Sequence, residues 1–302
     1  MGLTQYPNGV ASYGIPVLGG GSIPSTTGTV FFVSSGVGSD GNSGKAPDKA
    51  FATLDFAIGK CTASKGDVIL LMPGHAETLT AQINADVAGI SIIGLGTQNL
   101  RPALTGNGTI DVIDVSAANI LIENVEFPVP GTDAQTADIN IDAAGCTVRN
   151  TLHHGSTTSK NKVDIITLTA NADDALIDGA RIYNVTVEVV GGIVLEGACS
   201  RVEIRNCMVQ DAIGFTDGCI SDEAIALQAY IHHNVFSNAK ADTVVMNFVT
   251  NSTGVCSFNH VNGRHTTIAS NVVPGTGMAF FENRVVEEAA KNGAVIPAVD
   301  TD

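Results

Sequence analysis

The sequence predicts an all-β fold, a single-chain right-handed parallel β-helix (a solenoid) of about eight or nine coils. The first observation is a short phrase (apolar, any residue, apolar, polar, then Asn or Gly) that recurs eight times along the chain. The second is its spacing, because successive Asn or Gly positions lie 24 to 30 residues apart. A drifting period of this length, built from short β-rich segments, is typical of a solenoid. The eight phrases begin at Ile90, Ile120, Cys146, Ala175, Val202, Tyr230, Val255 and Ala279.

The columns of the stacked repeat are the third observation. The first and third positions of the phrase are mostly apolar, and they have the two-residue spacing of one strand face. Both are therefore expected to point into the solenoid. The third position reads Ile92, Ile122, Val148, Ile177, Ile204, His232, Ser257 and Phe281.

The Asn or Gly that closes each phrase supplies the positive φ that a sharp turn between two strands requires. The position just before it is expected to point outward, where acidic and basic residues largely alternate. A two-layer β-sandwich is the rival fold, but it does not require a register sustained over eight units. The outward column reads Ile93, Glu123, Arg149, Asp178, Arg205, His233, Phe258 and Glu282.

Residues 1–28 lie outside the repeat and are predicted to form an extended arm. Pro7, Pro16 and Pro24 exclude a helix, and the segment is too apolar for a solvated tail. The arm either folds back over its own β-helix or docks on another protein, and a Gly19–Gly21 hinge favours docking. The residues expected to contact a partner are Leu3, Tyr6, Pro7, Val10, Tyr13, Ile15, Pro16, Val17 and Leu18.

Residues 29–66 are predicted to contain a strand, Val30–Val33, and an amphipathic α-helix near Ala50–Lys60. An open β-helix exposes the edge of its first coil, and a helix placed there caps it. The residues that share the apolar face of this helix are Phe51, Leu54, Ala57 and Ile58.

The β-helix itself is assigned to residues 67–286, which form one elongated domain. Residues 287–302 are assigned to a C-terminal cap or tail. A short helix is expected from Val285 to Lys291, and this end of the chain caps the solenoid or pairs with a neighbour.

Charge and composition limit the partners of the chain. It has 15 Lys and Arg against 30 Asp and Glu, a net charge of −15, which argues against nucleic acid. No run of residues reaches membrane-spanning length, and the first residues do not resemble a signal peptide, so no membrane partner is expected. The six cysteines include no Cys-x-x-Cys pair, which favours reduced thiols.

No pattern in the sequence specifies an active site, so no catalytic residue, metal site or cofactor is predicted. Acid–base cleavage of a glycosidic bond needs two carboxylates on one exposed face, but the repeat explains the candidate acids as outward strand positions or turns. The chain also has no Trp and only four Tyr to form the aromatic platforms of a sugar-binding groove. The candidate acids are Asp111, Asp114, Asp138, Asp142, Asp173, Asp174, Asp217, Asp222 and Glu223.

The histidines occur mostly in clusters near the predicted turns. His232 falls in an inward column and is expected to be a satisfied core residue, whereas His233 falls in the outward column. His233 and His260 are expected to be neighbours on successive coils, but no third residue at a fixed spacing completes a metal site.

One block of the sequence resembles the start of pectate-lyase-like β-helix proteins. The resemblance implies the β-helix fold over about residues 30–285, with a helix that caps the first coil. The paired Asp, Gly-His and Arg-x-Lys elements of polygalacturonases are not found, nor is the tryptophan-bearing motif of the lyases. The residues that carry the resemblance are 39–44 (SDGNSG), 50–54 (AFATL), 57–58 (AI), 66–69 (GDVI) and 73–75 (PGH).

The segment Tyr6–Val17 is similar to the start of tailed-phage virion proteins, some of which carry β-helix bodies. This resemblance implies a non-enzymatic structural protein, a capsid decoration (cement) subunit that acts as a homotrimer. Its expected partner is the major capsid protein or another virion protein, and its expected location is the virion, after synthesis in the host cytoplasm. The alternative is a tailspike-like protein that binds or depolymerises host polysaccharide.

Overall fold

Three parallel β-sheets run along the solenoid, and each coil contributes one strand to each sheet in turn. The structure, a computed structural model, describes residues 11–12, 15–16, 26–131, 134–156, 161–184, 189–211, 214–248, 251–265, 268–286 and 294–296. Between the first and last strands of the eight-stranded sheet the chain makes about seven turns. The all-β solenoid of the right-handed type is confirmed, and the count of eight or nine coils stays a prediction.

The first sheet contains the strands of the repeated phrase, and the chain then passes to the second and third sheets. The first sheet comprises Val30–Val33, Val68–Leu71, Ser91–Gly94, Leu121–Glu123, Thr147–Arg149, Leu176–Asp178, Glu203–Arg205, Ala229–His232, Thr253–Ser257 and Gly277–Phe281. The second comprises Ala76–Leu79, Ala103–Gly106, Glu126–Phe127, Leu152–His154, Arg181–Asn184, Met208–Asp211, Val235–Ala241, His260–Arg264, Asn283–Val286 and Ala294–Ile296. The third comprises Ile83–Ala85, Asp111–Val115, Ala137–Ile141, Asp164–Leu168, Val189–Leu195, Phe215–Asp222, Met246–Phe248 and Val272–Val273.

The solenoid interior is one continuous apolar cluster, built from ladders of like residues. In the first sheet Ile92 pairs in register with Ile122, which pairs in turn with Val148, and all three side chains are buried. Stacked strands lie about 4.8 Å apart, so β-branched side chains in one column pack directly on each other. This packing explains why the period survives large variation in loop length.

Helical structure is confined to short segments of the described chain. The predicted helix near Ala50–Lys60 is the five-residue helix Leu54–Ile58, and Phe51, Leu54, Ala57 and Ile58 are all buried as expected. The remaining helical segments are Pro47–Lys49 and Gln98–Leu100, both 3-10, and the α-helix Ile268–Asn271. The helix predicted from Val285 is wrong at its start, because Val285 and Val286 belong to a strand that pairs antiparallel with Ala294–Ile296.

The predicted inward columns hold for five coils and are wrong by one residue in the last three. In the outward column, Ile93 and Glu123 are buried, each 3% exposed. Strand pairing places Arg205 opposite His232, not opposite His233, so the buried position is Ile231. Tyr230 and His232, predicted to point inward, lie on the outer face, and Tyr230 is 40% exposed. A shift of one residue moves every side chain of a strand to the opposite face. The same shift buries Cys256 and Phe280 and exposes Phe281.

Buried asparagines explain the shift. In the coil before it, Asn206 occupies the turn at φ 53°, whereas in the last three coils the turn residue is His233, Phe258 or Glu282 and the asparagine follows it. Asn234 and Asn259 are fully buried, and Asn259 Nδ2 lies 2.9 Å from Oδ1 of Asn283. Each amide donates to the next asparagine and to a backbone carbonyl of the preceding coil. The asparagine therefore satisfies buried polar groups here instead of supplying the turn conformation.

Charged side chains pair between neighbouring coils on the outer face of the first sheet. Arg149 Nη2 lies 2.6 Å from Glu123 Oε2, and Arg205 Nη2 lies 3.1 Å from Asp178 Oδ2. Solvent-accessible pairs such as Arg205–Asp178 contribute only about 0.2–1 kcal/mol each. Glu123 is buried, so its pair with Arg149 is screened less by solvent.

A second set of buried polar side chains, centred on Asp138, is enclosed between the second and third sheets. Asp138 accepts hydrogen bonds from Lys162 Nζ at 2.8 Å and from Gln135 Nε2 at 2.7 Å, and its Oδ2 lies 2.9 Å from His153 Nδ1. The His153 ring stacks on Phe127 with centroids 4.8 Å apart. Burial lowers the pKa of both His153 and Lys162, and Asp138 opposes that shift. Asp138 is therefore a structural residue, with no access to solvent.

The buried asparagine ladder yields a stability prediction. Asn259→Ala is expected to lower the free energy of unfolding by about 3 kcal/mol, because it leaves several buried donors and acceptors without partners. Urea denaturation measures the loss. The matched control is Asn262→Ala at an exposed strand position, which is expected to change stability by less than about 0.5 kcal/mol. Equal effects of the two substitutions would contradict a stabilising role for the ladder.

Candidate functional site

A buried carboxylate without a cation lies on the third sheet. Asp164 begins the strand Asp164–Leu168 and is only 7% exposed. Its Oδ1 has no hydrogen-bond partner within the described part of the chain. This differs from Asp138, whose charge is met by Lys162 and two further polar side chains.

The pKa of Asp164 is raised to about 7, and neighbouring acids contribute to the shift. Burial is the largest cause and the charge of Glu196 is the next, while Glu223 and Asp217 add to it. The N–H of Gly191 acts in the opposite direction. A carboxyl group with such a pKa exchanges its proton near neutral pH, as a general acid or base must.

Two other acids of this face, Glu196 and Asp111, also have raised pKa values. Burial raises the pKa of Glu196 first, followed by the charges of Glu223 and Asp111. Burial also raises the pKa of Asp111, and Asp114 adds to it. We call these six residues the carboxylate group: Asp111, Asp114, Asp164, Glu196, Asp217 and Glu223.

Small residues make room for Asp164. Strand pairing places it opposite Gly191, which pairs with Gly218 in the next coil. A Cβ at Gly191 would lie 2.8 Å from Asp164 Oδ1, closer than such contacts occur in proteins. Glycine inside a strand marks a site of close approach, so the Gly191-Gly192 pair is the sequence signal from which Asp164 could have been identified.

The structure separates the acids that the sequence grouped together. Asp111, Asp114, Asp217 and Glu223 join the carboxylate group, whereas Asp164 and Glu196 were missed. Asp114 accepts a hydrogen bond from Asn140 Nδ2 at 2.9 Å, and each of the remaining candidates also has a structural partner. These are Asp138 with Lys162, Asp142 with Thr169 and Asn171, Asp173 with Ser200, Asp174 with Arg201, and Asp222 with Ser252.

Hydrogen bonds and charge hold Asp173 and Asp174 in their ionised forms. The hydroxyl and N–H of Ser200 lower the pKa of Asp173, and the Arg201 guanidinium lowers the pKa of Asp174. Both residues stand at the turn that leads into the first sheet, and their partners come from the next coil. They therefore tie one coil to the next and are poor proton donors at neutral pH.

Two open cavities lie along the corner where the first sheet turns into the second. One, of about 460 Å³, is lined in the early coils by residues that include Arg101, Glu123 and Arg181. The other, of about 470 Å³, lies in the last coils and brings together His233 and His260, as expected from the sequence. Its lining residues are His233, Phe258, Asn259, His260, Glu282 and Arg284.

Most of the predicted partner-binding residues fall outside the described chain. These are Leu3, Tyr6, Pro7, Val10, Tyr13, Val17 and Leu18. Ile15 and Pro16 form a short strand that pairs antiparallel with Ala11–Ser12. These two strands make a sheet of their own and join none of the three sheets of the solenoid.

The residues of the described ranges also bear on metal, membrane and thiol sites. Across these residues no three His, Cys, Asp or Glu side chains are arranged to hold a metal ion. None of the described helices is long and apolar enough to cross a membrane. The six cysteines are free thiols, and burial raises the pKa of Cys207 to about 12, so this thiol is inert at neutral pH.

No family model and no curated protein matches the chain. Among solved structures it is similar to a rhamnogalacturonan lyase, with 13% identity over 85% of this chain and 87% of the other and a TM-score of 0.46. It is also similar to pectate lyase Pel9A, with 16% identity over 88% of this chain and 77% of the other and a TM-score of 0.41. A third similar structure is the GH136 lacto-N-biosidase from Eubacterium ramulus, with 12% identity over 85% of this chain and 67% of the other and a TM-score of 0.43. At these values no activity is transferred, and the fold rests on the strand pairing itself.

These similar structures are two lyases and a glycosidase, which contradicts the prediction that this chain is not an enzyme; their likeness lies in the fold and assigns no reaction to the chain. That prediction relied on missing local motifs. A solenoid assembles side chains from successive coils, as Asp164 and Glu196 show, and such a group leaves no contiguous motif. The absence of a motif therefore does not exclude a site.

Burial of Asp164 predicts a pH-dependent stability. Its pKa is about 7 in the folded chain and near 3.8 when unfolded, so the stability that its protonated form confers is lost as pH rises from 4 to 7. Asp164→Asn is therefore expected to change stability little at pH 4 and to stabilise the chain at pH 8. The gain is at most on the order of 4 kcal/mol. Thermal unfolding across pH 4–8 measures it.

The control for that measurement is Asp173→Asn. Its carboxyl has a lowered pKa, so this substitution is expected to give no stabilisation that grows with pH. A difference between Asp164→Asn and the parent chain that stays constant over the pH range would contradict the buried, raised-pKa carboxyl.

Proposed function

We propose that this chain is a structural subunit of a tailed-phage particle. The arm, residues 1–28, attaches it to the major capsid protein or another virion protein, and the β-helix body projects from that attachment. The observation that carries the proposal is the strand pairing within the described part of the arm. Ala11–Ser12 and Ile15–Pro16 pair with each other and leave the solenoid sheets unextended.

A separate, apolar arm suits docking on a large assembly. A segment that becomes ordered on binding buries apolar surface against its partner, and this gain offsets the ordering cost. The glycines at 19–21 allow the arm to change direction relative to the body. The similarity of Tyr6–Val17 to virion proteins supports the same assignment.

The ends of the solenoid fit a protein that does not polymerise through its edges. At the first coil, Leu54 and Ile58 of the short helix are buried against the core, and we assign this helix as the cap of that end. At the other end Ala294–Ile296 adds an antiparallel strand to Asn283–Val286. A covered edge disfavours association through the first coil, and we assign the homotrimer contacts to the sides of the body.

A second function, action on a host polysaccharide, is favoured by the carboxylate group. Asp164 is half protonated near pH 7, and Glu196, Asp217 and Glu223 lie near enough to influence its proton. Glycosidic bonds are cleaved by two carboxyl groups that flank the bond, one of which has a raised pKa and acts as the acid. The two functions are compatible, because the arm can attach a body that also acts on a glycan.

Deletion of residues 2–20 tests the attachment. The truncated body is expected to keep the Tm of the full chain and to lose binding to phage shells that lack this protein. Co-sedimentation with shells measures the binding. The control is Leu100→Ala, at an exposed apolar residue of the body, which is expected to bind normally. Normal binding by the truncated chain would show that the arm does not attach the protein to the shell.

A polysaccharide panel tests the second function. New reducing ends or unsaturated products are expected from the full chain, and Asp164→Asn is expected to reduce their rate at least about 100-fold. The rate is expected to fall as pH rises above 7, because the acid form of Asp164 is then lost. Asp173→Asn serves as the control with full activity. Products formed equally by both variants would exclude Asp164 as the source of activity.

A further inference from the structure

The last three coils carry strained turn residues where earlier coils carry unstrained ones. At the corner between the first and second sheets, Asn124, Asn150, Gly179 and Asn206 have positive φ, which Asn and Gly accept readily. His233, Phe258 and Glu282 hold the same position at φ 56°, 55° and 48°. For a bulky residue such as Phe this conformation is a true outlier. Strain of this kind persists mostly where it serves a function.

The strained turns display aromatic rings on the surface. The His233 ring stacks on the Phe258 ring with centroids 5.2 Å apart, and His232 stacks on Tyr230 at 4.0 Å. Phe258 is 45% exposed and Tyr230 is 40% exposed. A sequence search for Trp and Tyr platforms misses this surface, because it is built mainly from Phe and His.

Ionisable groups surround the rings. The cavity of about 470 Å³ at this corner is lined by Phe258 together with His260, Glu282, Arg284 and His233. This volume lies in the range of small-ligand sites. Four of the six lining residues are ionisable, whereas the buried core of a protein–protein interface is depleted in charge. A ligand with an apolar ring face and many hydroxyl groups satisfies both kinds of side chain.

We propose that this corner binds a saccharide. One sugar ring stacks its C–H face on Phe258, while Glu282 accepts and Arg284 donates hydrogen bonds to its hydroxyl groups. We call it the corner site, formed by His233, Phe258, His260, Glu282 and Arg284. It joins the first and second sheets, so it does not adjoin the carboxylate group on the third sheet, and it requires neither proposed function.

The test uses the full chain with maltotriose, triacetylchitotriose and trigalacturonate as probes. Saturation-transfer NMR is expected to show contact between aromatic protons and the ring protons of at least one probe, and calorimetry gives its affinity. Phe258→Asn is expected to weaken binding about 10-fold. Because Asn accepts this turn conformation, the same variant is expected to have a Tm equal to or above that of the parent chain.

Three variants make the result specific. Arg284→Gln leaves the turn backbone unchanged and is expected to weaken binding several-fold, so it tests the site even if Phe258→Asn fails to fold. Leu100→Ala is a matched apolar control elsewhere on the surface and is expected to bind normally. Asp173→Asn removes a carboxylate at a turn outside the corner site and is also expected to bind normally.

Several outcomes would overturn the proposal. One is a lack of binding to all three probes, and another is unchanged affinity in both Phe258→Asn and Arg284→Gln. If Phe258→Asn instead changes the number of copies of this chain in the oligomer, measured as its mass in solution, and leaves saccharide binding unchanged, the corner is an interface between copies of this chain. A large loss of stability in Phe258→Asn together with normal binding in Arg284→Gln would make the ring a packing residue only.

Discussion

One positive φ angle per coil, at the corner between the first and second sheets, is the constraint on which the solenoid depends. It turns the chain from the first sheet into the second within a single residue, so it fixes where each strand of the first sheet ends. The end of the strand sets the register, and the register decides which side chains are buried. In the four coils from Asn124 to Asn206, Asn or Gly meets this requirement. In the last three coils the requirement persists although the residue type changes.

This distinction determines how much the sequence predicts. The repeat period and the apolar columns predict the fold and the inward faces of the first five coils correctly. In four of these coils, from Asn124 to Asn206, the asparagine or glycine marks the turn, whereas Gly94 lies inside a strand and does not have positive φ. From Tyr230 onward the asparagine lies one residue after the turn, where its buried amide links neighbouring coils. Residue identity alone cannot distinguish the two uses of asparagine. The failure therefore falls on the residues that form the corner site, His233, Phe258 and Glu282.

The carboxylate group was only partly predictable for a different reason. Asp111 and Asp217 were recognised as acids, but sequence distance hides their relation to Glu196, which depends on stacking of separate coils. Asp138 and Asp164 are both buried acids of neighbouring coils, yet only Asp138 has a cation, Lys162. A partner that lies 24 residues away in the sequence decides which acid is structural and which is free to exchange a proton.

The proposed functional surfaces differ from the rest of the fold in one respect. They contain a buried group or a backbone angle that reduces stability. The asparagine ladder, the Asp138–Lys162 pair and the apolar columns are each satisfied by their neighbours, so they need no ligand to explain them. Asp164 and Phe258 are not stabilised by their neighbours in this way. Asp164 is a buried acid without a cation, and Phe258 is a bulky residue at positive φ. Both belong to the body, and they lie on different faces of it. The proposed attachment through the arm uses neither of these residues, and each can be altered without affecting the other.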